Sequence, residues 1–140
     1  MEKEIEYLQN YISLQQLRFD NRLELSFSTN GITENQVIEP FLILPFIENS
    51  FKYCLDDVSL KAWITISITF SEEWLIIKIE NSLPQDFFEN KKTKNPYSGI
   101  GISNVKRRLE LLYPQNHILN IKNEVESFFV SLKIKINDTN

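Results

Sequence analysis

Ten residues of this chain, Leu44 to Tyr53, hold a carboxylate at Glu48, a carboxamide at Asn49 and an ammonium at Lys52 among mostly apolar neighbours. Read as a helix at about 100° per residue, Leu44, Ile47, Phe51 and Leu55 lie within roughly 80° of one another, and Glu48, Lys52 and Asn49 share the adjoining face within about 100°. Downstream, Ser98-Gly99-Ile100-Gly101-Ile102-Ser103-Asn104 reads as a glycine turn opening a second amphipathic helix. Backbone amides at such a helix start attract phosphate. The set fits a magnesium-bound nucleotide. A plain solvated helix face would also carry Glu, Asn and Lys; two of the chain's three glycines in one turn weigh against that reading.

These residues need a scaffold, and the bulk composition supplies one. The 140 residues are 42% hydrophobic and 24% charged, enough for one domain with a real core. A net charge of −4 leaves no electrostatic footprint for nucleic acid. The longest apolar run, Phe41 to Ile47, is far short of the ~20 residues of a membrane helix. The opening Met-Glu-Lys-Glu does not read as a secretion signal. Cys54 is the single cysteine, so no internal disulfide forms, and a small packing residue is its expected role.

Ile5, Leu8, Ile12 and Phe19 predict a helix over 2–19. Alternation of Leu23, Leu25 and Phe27 predicts a strand ending at Thr29-Asn30-Gly31. The Glu48 helix is expected within 40–55, with Pro45 either bending it or marking its first turn. A hairpin follows, its strands built on Ile64 to Phe70 and on Leu75, Ile77 and Ile79, with Ser71-Glu72-Glu73 between them. Asn81 continues the inward face of the second strand, and Trp63 and Trp74 are expected to cover the sheet or a neighbour. Residues 82–98 lack a period and read as a lid-like loop, whose Lys91–Lys94 run is a solvated stretch. Ile102, Val105, Leu109 and Leu112 predict a helix ending at Tyr113-Pro114, and a last hairpin turns near Asn123-Glu124. The pattern gives an α+β two-layer sandwich: a mixed, largely antiparallel sheet packed on about three helices.

Order and motifs together resemble the ATP-binding catalytic domain of sensor histidine kinases, in the gyrase–Hsp90–histidine kinase–MutL group, and especially its LytS-type branch. Leu44 to Cys54 is similar to that branch's L-x-P-L-V-E-N-A-I-K-H-G helix, and Ser98 to Leu109 to its G-x-G-I-G-L-x-N-x-x-x-R-L box. Tyr7-Leu8, Tyr11-Ile12 and Arg18-Phe19 look like its linker helix. The resemblance implies a Bergerat-type fold, with residues 1–20 ending a linker or dimerisation helix and 21–140 forming the catalytic domain. It also implies Mg²⁺ on Asn49, a nucleophile-polarising role for Glu48 and a phosphate-facing role for Lys52. Tyr53 stands where the family has histidine. Gly99, Ile100, Gly101 and Asn104 would lie along the nucleotide.

The family's adenine-binding D-x-G-x-G box aligns with Glu80-Asn81-Ser82-Leu83-Pro84-Gln85, which lacks both glycines. Strand alternation puts Asn81 in the aspartate position; a register one residue earlier would put Glu80 there. The only histidine, His117, follows a turn at a strand start and is not in the family's phosphoacceptor context. The resemblance therefore implies an ATP- and Mg²⁺-using kinase domain that passes the γ-phosphoryl to a histidine on an upstream dimerisation domain. Its other implications are a response regulator downstream, a homodimeric full-length protein and a cytoplasmic position in an inner-membrane sensor. The other reading is a degenerate, nucleotide-poor relay or dimerisation module.

Overall fold

The computed structural model describes residues 1–19, 22–54, 61–83 and 100–136. The element order is α1 (Glu2–Phe19), β1 (Leu23–Asn30), α2 (Leu44–Cys54), β2 (Ala62–Ser71), β3 (Trp74–Ser82), α3 (Ile100–Leu112), β4 (His117–Asn123) and β5 (Ser127–Lys135). The five strands form one sheet in the order β1-β2-β3-β5-β4. β1 pairs parallel to β2, which requires a crossover, and α2 lies in it. The other pairings are antiparallel.

Period-two patterning decides the faces. On β2 and β3, Ile64, Ile66, Ile68, Leu75, Ile77 and Ile79 are essentially inaccessible, and Phe128, Val130, Leu132 and Ile134 of β5 continue that layer. Each such side chain contributes about 1.5–3 kcal/mol by leaving water. The opposite face carries Thr65, Lys78 and Lys133 exposed to solvent, with Trp63 and Trp74 half-buried beside them. The helices close the apolar face through Ile5, Leu8 and Ile12 of α1, Ile47 and Phe51 of α2, and Ile102, Val105 and Leu109 of α3. This is the expected two-layer α+β sandwich.

Two turns use unusual backbone. Gly31, after β1, has φ of 76°, and a Cβ there would collide with the Phe70 carbonyl oxygen, so glycine is required. Glu72 and Glu73 join β2 to β3 with φ of 51° and 70°, a left-handed pair of the kind that matches strand twist and is normally given to Asn-Gly.

α2 is shorter than the expected 40–55 span. It begins at Leu44, with Pro45 in the first turn, where a missing N–H costs nothing. The preceding residues are held by tertiary contacts instead of helical ones. Arg108 of α3 donates to the carbonyls of Pro40 (2.9 Å) and Phe41 (3.3 Å). The Phe41 amide donates to Glu4 of α1 (3.1 Å), and the Glu39 amide to the Tyr113 hydroxyl (3.1 Å). These bonds hold Phe41 at a φ of 63° and end any helix there.

Candidate nucleotide site

α2 forms because its apolar positions recur at helical spacing and pack on the sheet. Ile47, Ser50 and Cys54 run down the middle of the buried stripe, with Phe51 on one flank and Phe46, Asn49 and Tyr53 on the other. Small residues at 50 and 54 let the helix sit close to β2 and β3. Burial pushes the Cys54 thiol up to about 12, so it stays protonated and serves as packing.

The three polar residues read as one face separate by exposure. Glu48 and Lys52 are exposed, whereas Asn49 is only 8% accessible. The Lys52 ammonium lies 5.3 Å from the centroid of the Tyr53 ring, and Tyr53 is itself buried. Of these three, Asn49 is thus the one that α2 presents from within the fold; the two charged groups stand outside it.

β3 supplies the second component. Leu75, Ile77, Ile79 and Asn81 share the helix-facing side, and Asn81 is wholly buried, while Glu80 is half-exposed on the other face. The Asn81 Nδ2 donates to the Ser82 carbonyl (2.9 Å), and the Oδ1 has no partner among the described residues. The carboxamide is therefore oriented: its nitrogen is engaged and its oxygen is unmatched among the described residues. Leaving a buried acceptor unmatched costs about 1–3 kcal/mol, which a ligand donor would offset. Asn81 and Asn123 both pair with Phe128 of β5 in register, and the Asn123 Oδ1 is likewise buried without a partner among the described residues. The hydroxyl of Ser50 on α2 is a third such group. Sequence reading missed Ser50 and Asn123. A serine in the middle of an apolar helical stripe was the available signal for the first; the second becomes visible only once β4 and β5 are paired.

The second motif comes to the same region. Gly101 lies in the first turn of α3, and a Cβ there would sit 3.8 Å from the Pro45 Cβ, in ordinary contact. The start of α3 therefore rests beside the start of α2. Gly101 has room for a side chain and keeps a helical place, so the expected turn does not require glycine at this residue. Ile100 opens α3, and Asn104 is exposed on it. Gly99 and the expected lid lie outside the described residues, apart from Ser82 and Leu83 at its start. Leu83 occupies the place of the family's first glycine in this register; it is buried, and its amide donates to the Glu126 carbonyl (2.9 Å). His117 sits at the start of β4 with its Nδ1 2.7 Å from the Tyr113 carbonyl oxygen, a local turn contact. No group of three or more His, Cys, Asp or Glu able to hold a metal occurs among the described residues. Within them no helix is long and apolar enough to cross a membrane.

Comparison with known proteins agrees with this arrangement. Residues 38–137 match the family described as GHKL domain. The chain is 24% identical to the sensor protein LytS of Staphylococcus epidermidis over 96% of its length, and 23% identical to the sensor protein kinase HptS of Staphylococcus aureus over 89%. It spans about a quarter of those relatives, 24% of the first and 26% of the second. The catalytic domain of the histidine kinase ThkA has the same fold, with a TM-score of 0.68 at 14% identity over 96% of this chain and 91% of that one. The histidine kinase AdeS of Acinetobacter baumannii superposes with a TM-score of 0.61 at 15% identity, over 97% of this chain and 64% of the other. The match covers the Glu48-Asn49 helix, the Asn81 strand and the glycine helix together, and the chain belongs to the GHKL domain family.

Proposed function

We propose that this chain is the ATP-binding catalytic domain of a sensor histidine kinase, which passes the γ-phosphoryl of ATP to a histidine on another domain. The observation that carries the reading is Asn81: a wholly buried carboxamide whose nitrogen is engaged and whose oxygen has no partner among the described residues. That polarity matches the exocyclic amino group of adenine. The buried amide of Asn49 fits a hard cation among phosphates, since a neutral oxygen ligand suits Mg²⁺ when phosphates supply the other ligands. Bound Mg²⁺ would neutralise phosphate charge during transfer.

In this reading Glu48 polarises the attacking imidazole from its exposed position. Lys52 contributes a cation at the phosphates, and Tyr53 packs beneath it. The first turn of α3, with Ile100, Gly101 and Asn104, receives the phosphates, and Gly99 precedes it. The acceptor histidine belongs to a dimerisation domain of the full-length protein, which relays to a response regulator. This chain would be the cytoplasmic part of a membrane-bound, homodimeric sensor.

One observation favours a second reading, a nucleotide-poor relay module. Leu83, buried and hydrogen-bonded to the β4–β5 turn, fills the place where the family keeps a glycine. An ATP-analogue titration with and without Mg²⁺ separates the two. The kinase reading expects magnesium-dependent binding that Asn49→Ala weakens at least tenfold while the fold survives. Binding that is absent, or indifferent to both Mg²⁺ and Asn49, supports the relay module.

A further inference from the structure

The approach to α2 is held by side chains of two other helices. The Arg108 guanidinium on α3 forks over it, Nη2 donating to the Pro40 carbonyl at 2.9 Å and Nη1 to the Phe41 carbonyl at 3.3 Å. The hydroxyl of Tyr113, just past α3, accepts from the Glu39 amide at 3.1 Å. From α1, Glu4 accepts from the Phe41 amide at 3.1 Å, and the Tyr7 ring meets the Phe41 ring edge-on at 5.5 Å and 78°. Arg108 makes no ion pair among the described residues, so its fork is committed to two main-chain carbonyls.

The Phe41 carbonyl needs that donor. In a helix running back through residue 41 its partner would be the amide at position 45, and Pro45 has none. Phe41 takes a φ of 63° instead, a strained value for a residue with a side chain, and Leu42 and Ile43 then enter the core. Where α2 starts is therefore decided by the grip on its approach. That start meets α3 again at Gly101, where an added Cβ would lie 3.8 Å from the Pro45 Cβ. Asn49 stands about 7.5 Å along the helix axis from Leu44, so a slip or rotation at the start of α2 is carried to its carboxamide.

We infer that Arg108 is a positioning residue for the cation end of the site. By holding the carbonyls of Pro40 and Phe41 it fixes where α2 begins relative to α3, and so where Asn49 stands against the first turn of α3. The inference rests on the proposed Mg·ATP reading. Asn81 is carried by β3 and lies outside this linkage, so Arg108 governs the Mg²⁺ and phosphate end and leaves recognition of the base alone.

Calorimetric titrations with ATP, with and without Mg²⁺, and with Mg·GTP separate the two ends. Arg108→Ala should cut the Mg²⁺ enhancement of ATP affinity about tenfold and keep the ATP-to-GTP ratio. Arg108→Lys, with one ammonium for two carbonyls, should fall between the two. Ile77→Ala, weakened in the core instead, should keep both quantities. Without nucleotide, Arg108→Ala should speed hydrogen exchange at the Ile47 amide, whose bond to the Ile43 carbonyl opens α2, and leave Ile79 on β3 unchanged. An Mg²⁺ enhancement or an Ile47 exchange rate untouched by Arg108→Ala overturns the inference. So does an ATP-to-GTP ratio that collapses with the enhancement, since that is general loosening. ATP binding to the unaltered chain that ignores Mg²⁺ overturns instead the reading on which the inference depends.

Discussion

β3 carries two unlike halves on one face. Leu75, Ile77 and Ile79 are buried apolar side chains that match Phe70, Ile68 and Ile66 of β2 and the row from Val130 to Ile134 on β5. Two residues on, Asn81 is just as inaccessible, yet it leaves an acceptor unmatched, and Asn123 does the same beyond Phe128. The first half is complete as folded: every atom has a like neighbour. The second leaves acceptors unmatched among the described residues, as the proposed nucleotide site requires. Equal burial therefore carries opposite meanings, and it is the state of the polar atoms that separates structure from site.

The comparison breaks most visibly from the apolar side. Ile77→Ala should cost about 2–5 kcal/mol in chemical denaturation, because the deleted atoms leave a cavity in a layer packed on both sides. Nucleotide affinity of the fraction still folded should be unchanged. At the polar half the balance inverts. Asn81→Leu removes the orphan acceptor, so stability should hold or rise by about 1 kcal/mol while ATP binding is lost. Asn81→Asp should tighten ATP binding by about 1–2 kcal/mol, since a charged acceptor strengthens the same bond. An unchanged affinity for Asn81→Asp, alongside a change for Glu80→Asp, would move the register by one residue.

Smaller effects sharpen the picture away from the site. Replacing Glu72-Glu73 by Asn-Gly should stabilise the β2–β3 hairpin by about 0.5–1 kcal/mol, as both positions have positive φ. The loss of the exposed Glu73–Lys135 pair, 3.9 Å apart, should subtract little from that gain. Smallest of all, Cys54 should resist iodoacetamide at pH 8 in the folded chain. Its folded pKa is raised above its ordinary value of 9.0 to about 12, so the thiol favours the native state below pH 9. That contribution is lost as pH rises from 9 towards 12, and alkylation should then track unfolding.

Much of this was legible in the chain because it is periodic. Strand alternation alone put Asn81 inward and Glu80 outward, and helical spacing placed α1 and α3 to within a residue or two. The start of α2 was not legible: Pro45 allowed two readings, and the choice is made by Arg108, Glu4 and Tyr113 gripping residues 39–41 from distant parts of the chain. Nor could spacing show that Asn49 is buried while Glu48 and Lys52 are not, since that depends on which flank of α2 meets its neighbours. The left-handed Glu72-Glu73 turn gave no sign, as neither Gly nor Asn marks it. The orphaned atoms of Ser50 and Asn123 exist only as relations between elements, which no local pattern encodes.

The proposed adenine recognition turns on Asn81 acting as an oriented acceptor, and base selectivity tests that directly. Calorimetric titration of the unaltered chain with Mg·ATP and with Mg·GTP compares a base bearing an exocyclic amino group at position 6 with one bearing a carbonyl there. An acceptor fixed by the Nδ2–Ser82 bond predicts at least a tenfold preference for ATP that disappears in Asn81→Leu, at a cost of about 1.4 kcal/mol or more. Equal binding of the two nucleotides, or a preference for ATP that survives Asn81→Leu, would contradict it.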